Sequence, residues 1–183
     1  MDCTSTRLPY SQTNAFSKIA LDYIDQSAEL TPFFAQPPNI QGIQKAIEAR
    51  KKFSNKREVL VEELKKQYKG IELSDKVRKN IESLLSADTF TVTTAHQNNI
   101  FTGPLYFIYK IVHAIKLADH LNGMLPQQHF VPVFYIGSED ADFDELNHIW
   151  LGNEKLVWET RQTGAVGRMK IDKTLLKLIY RME

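Results

Sequence analysis

Residues 94–104, Thr-Ala-His-Gln-Asn-Asn-Ile-Phe-Thr-Gly-Pro, form the first of three segments that could carry chemistry. His96 supplies a titratable base or donor, and Gln97 an amide in the same stretch. Thr102-Gly103-Pro104 then precedes a helix-like apolar run. A helix start offers free N–H groups and a partial positive charge, which suit a carboxylate or a phosphate. The same letters also serve a structural end, in which Thr102 caps the helix, Gly103 permits the turn and His96 bonds locally. Spacing alone leaves both open. Walker A spacing with its Lys is absent, and so is a GxGxxG fingerprint.

The second group is Gly137-Ser-Glu-Asp-Ala-Asp-Phe-Asp-Glu145, in which five of nine residues are acidic. Carboxylates crowded together repel, so the cluster makes sense opposite something cationic or rich in donors: an amine, a sugar or a metal. Asp140, Asp144 and His148 are spaced four apart and would share one face if the segment were helical. The group lacks His-rich spacing and the full Ca²⁺-loop pattern, and no metal ligands are assigned. The structural alternative is an acidic first turn of a helix. A third segment, Thr163-Gly-Ala-Val-Gly-Arg168, has two glycines and an arginine that could close over an anion or simply make a hairpin turn. His113, His120 and His129 read as structural, and Trp150 and Trp158 as strand packing.

Elements must carry these groups to one place. Thr89–Thr94 is β-branched and aromatic and reads as a strand. Ala95–Thr102 reads as a loop. Pro104, well placed as a first helical residue, opens a long helix that ends at Asn122-Gly123. That helix is apolar over most of its circumference, as for a helix packed on a sheet and covered. Phe130–Ile136 is a second apolar strand, with Pro132 expected at its start or where its missing N–H is harmless. Strand, helix and strand make one βαβ unit with a parallel pair. Both chemical loops then leave the carboxyl ends of neighbouring strands, where open α/β sheets bind ligands. Ile149–Thr160 holds two short strand-like stretches, and Ile171–Glu183 a helix that simply stops.

Residues 1–87 read as a plainer helical segment and 88–183 as the α/β part. Helices are expected over Phe16–Tyr23 and Ile40–Phe53, after Asn55 with Glu58 as a capping box, and after Ser74. Thr31-Pro32 and Gln36-Pro37-Pro38 break the chain between them.

Composition excludes whole classes. Hydrophobic residues make up 43% and charged residues 25%, ordinary for a globular chain. Lys and Arg number 23 against 22 Asp and Glu, so a nucleic-acid partner, which would call for a basic excess, is not expected. A lone cysteine, Cys3, excludes an internal disulfide framework. The N-terminus has no signal-peptide core, and the longest apolar run, Phe130–Ile136, is too short to span a bilayer. No membrane partner and a reducing, cytoplasmic location are expected.

The blocks 94–110 (Thr-Ala-His-Gln-Asn-Asn-Ile-Phe-Thr-Gly-Pro-Leu-Tyr-Phe-Ile-Tyr-Lys), 130–148 (Phe-Val-Pro-Val-Phe-Tyr-Ile-Gly-Ser-Glu-Asp-Ala-Asp-Phe-Asp-Glu-Leu-Asn-His) and 164–168 (Gly-Ala-Val-Gly-Arg) resemble the cysteine-adding enzymes, or cysteine ligases, of bacillithiol biosynthesis. They stand in that family's order and spacing. The match is close over residues 88–168 and looser over the helical segment before it. It departs where the family commonly has Gly for Ala95 and His for Ala141.

The resemblance implies a Rossmann-like core related to class I aminoacyl-tRNA synthetases. It implies a ligase joining the carboxyl of cysteine to the amine of glucosaminyl malate. A free carboxylate does not form an amide without activation, so ATP-dependent acyl activation is expected and the cofactor itself is left unassigned. On this basis His96, Asp140 and Glu139 are the candidate catalytic groups. Gln97, Thr102, Gly103, Asp142, Asp144, His148 and Arg168 are the candidate substrate-binding groups. The family's chains are longer, with a coiled coil used for dimerisation, so the chain reads as an N-terminal fragment of a homodimer. The alternatives are a nucleotidyl-transferase-like protein using the same loop on ATP, and a non-catalytic module whose acidic loop meets a basic partner.

Overall fold

The computed structural model describes residues 4–182. Cys3 and Glu183 lie outside the described residues. The chain forms two compact units, Met1–Asn55 and Lys56–Glu183.

The first unit holds α1 (Lys18–Ile24) and α2 (Ile40–Lys51), with short 3₁₀ turns at Tyr10–Gln12 and Ala28–Phe33. Asn39 caps α2 by accepting from Gly42 N at 2.9 Å. Gly42 allows α2 to start against Pro37, whose carbonyl a Cβ would strike. Edge-to-face pairs join Tyr10 to Phe16 at 4.7 Å and Tyr23 to Phe34 at 5.3 Å.

The second unit begins with α3 (Arg57–Gln67) and α4 (Asp75–Ser83). The expected capping box at Asn55 does not form: α3 starts after Lys56 with no side-chain cap, and Asn55 accepts from Arg50 at 3.1 Å instead. Ser74 does cap α4, accepting from Val77 N at 3.4 Å. Then come β1 (Thr89–Gln97), α5 (Leu105–Met124) and β2 (His129–Gly137). β1 and β2 pair in parallel from Thr89↔His129 to Gln97↔Gly137. This is a mixed α/β, Rossmann-like arrangement.

The layers follow from the pleat, since alternate side chains of a strand face opposite ways. Val131 is buried among Val61, Ile81 and Leu84, with Val133 packed alongside, so α3 and α4 cover that face. Phe134 meets Phe107 of α5 at 5.2 Å, so α5 covers the opposite face. The compact units therefore divide between Asn55 and Lys56, not at residue 87. α3 and α4 build their core on β2, and Arg57 donates to the carbonyls of Leu84 at 2.9 Å and Thr89 at 3.1 Å.

α5 is not covered all round as its composition suggests. Ala114, Ala118 and Leu121 are buried, while Leu105, Ile108, Tyr109 and Val112 are exposed. Among the described residues the parallel sheet has two strands, too narrow to cover a helix on more than one side. Pro132 lies inside β2, opposite Val92, rather than at its start. β2 has one partner strand, which leaves an open edge on which a missing N–H costs nothing. Asn122 ties the crossover shut, donating to Phe130 O at 2.9 Å and accepting from Phe130 N at 2.8 Å.

The chain continues through a single turn, α6 (Phe143–Leu146), and an antiparallel hairpin, β3 (His148–Leu151) with β4 (Glu154–Val157). A 3₁₀ turn at Val166–Arg168 leads to α7 (Lys173–Tyr180). Ile149, Leu156, Trp158, Leu175 and Leu178 form its core. Trp158 fits the expected packing; Trp150, alternating to the other side of β3, is 64% exposed.

Candidate functional site

The parallel register sets the site. His96 lies opposite Ile136 and Gln97 opposite Gly137, so the segments that follow both strands leave one edge of the sheet. β1 runs through His96 and Gln97, so these two belong to a strand end and not to the loop expected from Ala95 onward. A strand end fixes a side chain better than a loop does. The two edges meet at Gly137: a Cβ there would sit 3.8 Å from the His96 carbonyl oxygen and 3.8 Å from Glu139 Oε1.

His96 is 8% exposed. Its Nε2 lies 2.9 Å from the Tyr106 hydroxyl. Its Nδ1 lies 3.2 Å from the Gln97 carbonyl oxygen and 3.0 Å from the Asn99 amide nitrogen. Phe107 packs edge-on against the ring at 5.6 Å. Gln97 reaches across the rim to donate to Glu145 at 3.4 Å.

The loop after β1 is tightly held. Ile100 N donates to Leu146 O at 3.1 Å, and the Ile100 side chain packs on the Trp158 core. Phe101 adopts φ 52° and Gly103 φ 59°. Gly103 is needed twice over, because a Cβ would also lie 2.7 Å from Asn99 Cβ. Thr102 is exposed and does not cap α5, whose N-cap is Pro104 with no side-chain bond. The side-chain oxygens of Asn98 and Asn99 are buried without a donor.

The acidic segment is a turn and a single helical turn, not a continuous helix. Asp140 Oδ1 accepts from Asp142 N at 2.8 Å, closing a local turn. α6 is four residues long, and His148 is already in β3, where its Nδ1 lies 3.0 Å from Asn147 Oδ1. Asp140, Asp144 and His148 therefore do not share one helix face. The break is physical: Asp140 spends its side chain on the turn, and Ile149 and Trp158 draw the following residues into the hairpin core. Asp144 and Glu145 do occupy the first turn of α6. Glu139, Asp142 and Asp144 are exposed, with Glu139 accepting from Tyr135 at 3.3 Å.

The Gly164–Arg168 segment braces this loop from behind. Val166 N donates to Asp140 O at 2.9 Å and Gly167 N to Ser138 O at 3.0 Å. A Cβ on Gly167 would lie 2.6 Å from Ser138 Cβ. Arg168 is exposed. The structure thus brings the strand ends carrying His96, Gln97, Glu139, Asp140 and Glu145 to one rim, and places His148 in β3 rather than on a helix face with Asp140 and Asp144.

Sequence reasoning passed over Asn99, Tyr106 and Asp172. Asp172 caps α7 and accepts from Thr160 Oγ1 at 2.6 Å, Thr174 Oγ1 at 2.6 Å, Leu175 N at 3.0 Å and Trp158 Nε1 at 3.1 Å. These bonds, Thr160's foremost, hold its carboxyl well below the usual carboxylate range. A cleft of about 660 Å³ opens beside it, between Arg161, Gln162 and Lys170. Gln162 spans it, bonding both Lys170 O and Lys170 N at 2.8 Å. None of the candidate residues lines it. The sequence signal for Asp172 was present: an Asp directly before an apolar-periodic run is a helix N-cap. Among the described residues no group of three or more His, Cys, Asp or Glu is placed to hold a metal, and no helix is long and apolar enough to cross a membrane.

A Rossmann-like α/β unit whose parallel strand ends bring a buried histidine and a run of carboxylates to one edge defines the class. A family model described as bacillithiol biosynthesis BshC, N-terminal Rossmann-like domain, matches residues 1–183. The chain is 43% identical over 171 residues to "Putative cysteine ligase BshC" of Flavobacterium psychrophilum, covering 92% of this chain and 32% of that protein. Against the protein of the same name from Cytophaga hutchinsonii it is 44% identical over 162 residues, 88% of this chain and 31% of that one. Against that of Salinibacter ruber it is 30% identical over 185 residues, 97% of this chain and 34% of that one. This chain belongs to the BshC family. It spans about a third of the length of these curated relatives.

Proposed function

We propose that this chain forms the substrate-binding rim of a ligase that joins the carboxyl of cysteine to the amine of glucosaminyl malate, yielding bacillithiol. The observation that carries the reading is the parallel register of β1 and β2, which puts the His96 end and the Glu139–Asp142 turn on one edge. Membership in the BshC family supports it. An amine nucleophile must shed a proton as it attacks, and Glu139 or Asp140 would take it as general base, with His96 held behind them at the strand end. Gln97, Asp142, Asp144, His148 and Arg168 would hold sugar hydroxyls, ammonium or carboxylate groups. The backbone at Thr102, Gly103 and the start of α5 would face an anionic group of substrate or nucleotide.

The carboxylate must be activated: ATP, consumed as a co-substrate, would supply the phosphate or adenylate that leaves as the C–N bond forms, and the cofactor is otherwise unassigned. The reading also carries a cytoplasmic location, no nucleic-acid or membrane partner, and a homodimer held by a coiled coil in the relatives' remaining length.

The test supplies cysteine and glucosaminyl malate, with and without ATP, to this chain and to a protein of the relatives' length, and weighs the products by mass spectrometry. The expected result is a new amide product from the longer protein. ATP binding without amide formation would favour a nucleotidyl-transferase-like role. No ligand binding at all would favour an interaction module.

A further inference from the structure

His96 is buried and both of its ring nitrogens are engaged, so the ring itself has no free edge for a substrate. What it holds outward is Tyr106, in the first turn of α5, which is 53% exposed. The Tyr106 hydroxyl lies 2.9 Å from His96 Nε2, and Lys110 Nζ sits 5.8 Å from the Tyr106 ring centre while donating to Ala95 O at 3.1 Å. The ring is thus fixed between a strand end and a helix turn.

Which way the shared proton points follows from the other side of the imidazole. Nδ1 faces the Gln97 carbonyl oxygen at 3.2 Å, and a carbonyl can only accept. A proton on Nδ1 would answer that carbonyl. The Asn99 amide meets the same nitrogen at 3.0 Å, and its two ends interchange by a half-turn of the terminal bond. Turned so that Oδ1 faces Nδ1–H, Asn99 also accepts, and its amide nitrogen takes the buried position where the oxygen has no donor. With Nδ1 protonated, a neutral His96 has a lone pair on Nε2, and the Tyr106 hydroxyl must donate to it.

We infer that the Tyr106 hydroxyl, its proton committed inward to His96, faces the rim as a hydrogen-bond acceptor and selects an amine or sugar hydroxyl over a carboxylate or phosphate. His96 is then a positioning residue acting through Tyr106, with Asn99 holding its tautomer. The substrate half of this inference rests on the proposed function, whereas the tautomer half does not.

The test is nitrogen NMR of the protein selectively labelled with ¹⁵N-histidine, near pH 8, above the ordinary histidine pKa of about 6.5. The chain has five histidines, and His96→Gln identifies the His96 signals by their loss. The expected spectrum shows a protonated Nδ1 and an unprotonated, hydrogen-bonded Nε2. A protonated Nε2 overturns the inference. Tyr106→Phe keeps the ring and removes the hydroxyl, so Nε2 should move toward a free lone-pair position while Nδ1 stays protonated. An unmoved Nε2 overturns it too.

Titrating glucosaminyl malate should shift Nε2 in the unaltered protein and not in Tyr106→Phe. A shift driven by inorganic phosphate instead would overturn the selectivity. Failure of the ligase reading itself is registered separately, by the absence of an amide product in mass spectrometry.

Discussion

The rim and the α7 corner of the second unit both gather polar side chains around a buried ring, and they use them in opposite ways. Around Trp158, the groups satisfy one another. Asp172 accepts from two hydroxyls, two backbone N–H groups and the indole, and Gln162 is bonded at both ends of its amide. Around His96, polar atoms are left over. The Asn98 side-chain oxygen is buried without a donor, one end of the Asn99 amide is buried without a partner, and among the described residues no Lys or Arg forms an ion pair with Glu139, Asp140, Asp142, Asp144 or Glu145. A strongly shifted carboxyl beside a cleft is often taken to mark an active site. Here the shift reports a closed structural network, and the unspent bonding capacity at the rim is the better sign of function.

The sharpest way to break this contrast is to exchange readouts between the regions. In a protein of the relatives' length, His96→Gln should lower the rate of amide formation by about 10²-fold, the loss expected when a group it positions is displaced, while leaving the chain folded. Product measured by mass spectrometry at an unchanged rate would remove His96 from the chemistry. Leu156→Ala should do the reverse. Leu156 is 1% exposed in the core shared with Trp158, so its truncation should cost about 2–5 kcal/mol in denaturant unfolding. A loss under about 1 kcal/mol would mean that this corner packs less tightly than its burial implies.

How far these regions could be read beforehand differs for the same reason. The β1–α5–β2 unit was legible because its signals are local: a β-branched run at residues 89–94, an apolar run at 130–136, Pro104 before the helix and Gly123 near its end. The rim was legible as two loops, because parallel strands send successive carboxyl ends to one edge. What local letters could not show was where side chains spend their hydrogen bonds. Asp140 looked like one tooth of a helix face until its carboxylate was seen to close its own turn. Tyr106 and Asn99 looked like an ordinary helix residue and a loop residue, because their role depends on a ring ten and three positions away. The exposed side of α5 was misjudged because burial depends on how many strands lie beside a helix, and helical periodicity does not record that number.

The brace behind the acidic turn offers a smaller and cleaner perturbation. Gly167→Ala adds a Cβ 2.6 Å from Ser138 Cβ and 2.7 Å from Ser138 O, so the 3₁₀ turn must shift away from the strand end. Overpacking of this kind costs about 1–3 kcal/mol and should weaken substrate binding at Glu139 and Asp140 along with stability. Gly123→Ala is the control. It lies inside α5 with nothing within 4 Å of its Cβ, and should stabilise by about 0.5–1 kcal/mol through helix propensity alone. Thermal unfolding of the two variants should move in opposite directions. Movement in the same direction would mean that Gly167 is not a point of close approach.

The smallest expected effect concerns acid, and it bears on the α7 corner alone. The donors around Asp172 favour its carboxylate, so its folded pKa lies below the ordinary value of about 3.9. A depressed folded pKa means that the unfolded chain takes up the proton first as pH falls. The stabilising contribution is therefore fully present above about pH 4. It declines as pH drops below the unfolded value, and is gone once the folded carboxyl is itself protonated. Asp172→Asn retains an acceptor for Trp158 and Thr174 but has no charge to lose. Its unfolding midpoint should start lower at neutral pH and fall less steeply than that of the unaltered chain between about pH 4 and pH 2. Parallel curves for the two proteins over that interval would show that the network around Trp158 does not depend on the charge, and the distinction between a saturated corner and an unsaturated rim would then rest on geometry only.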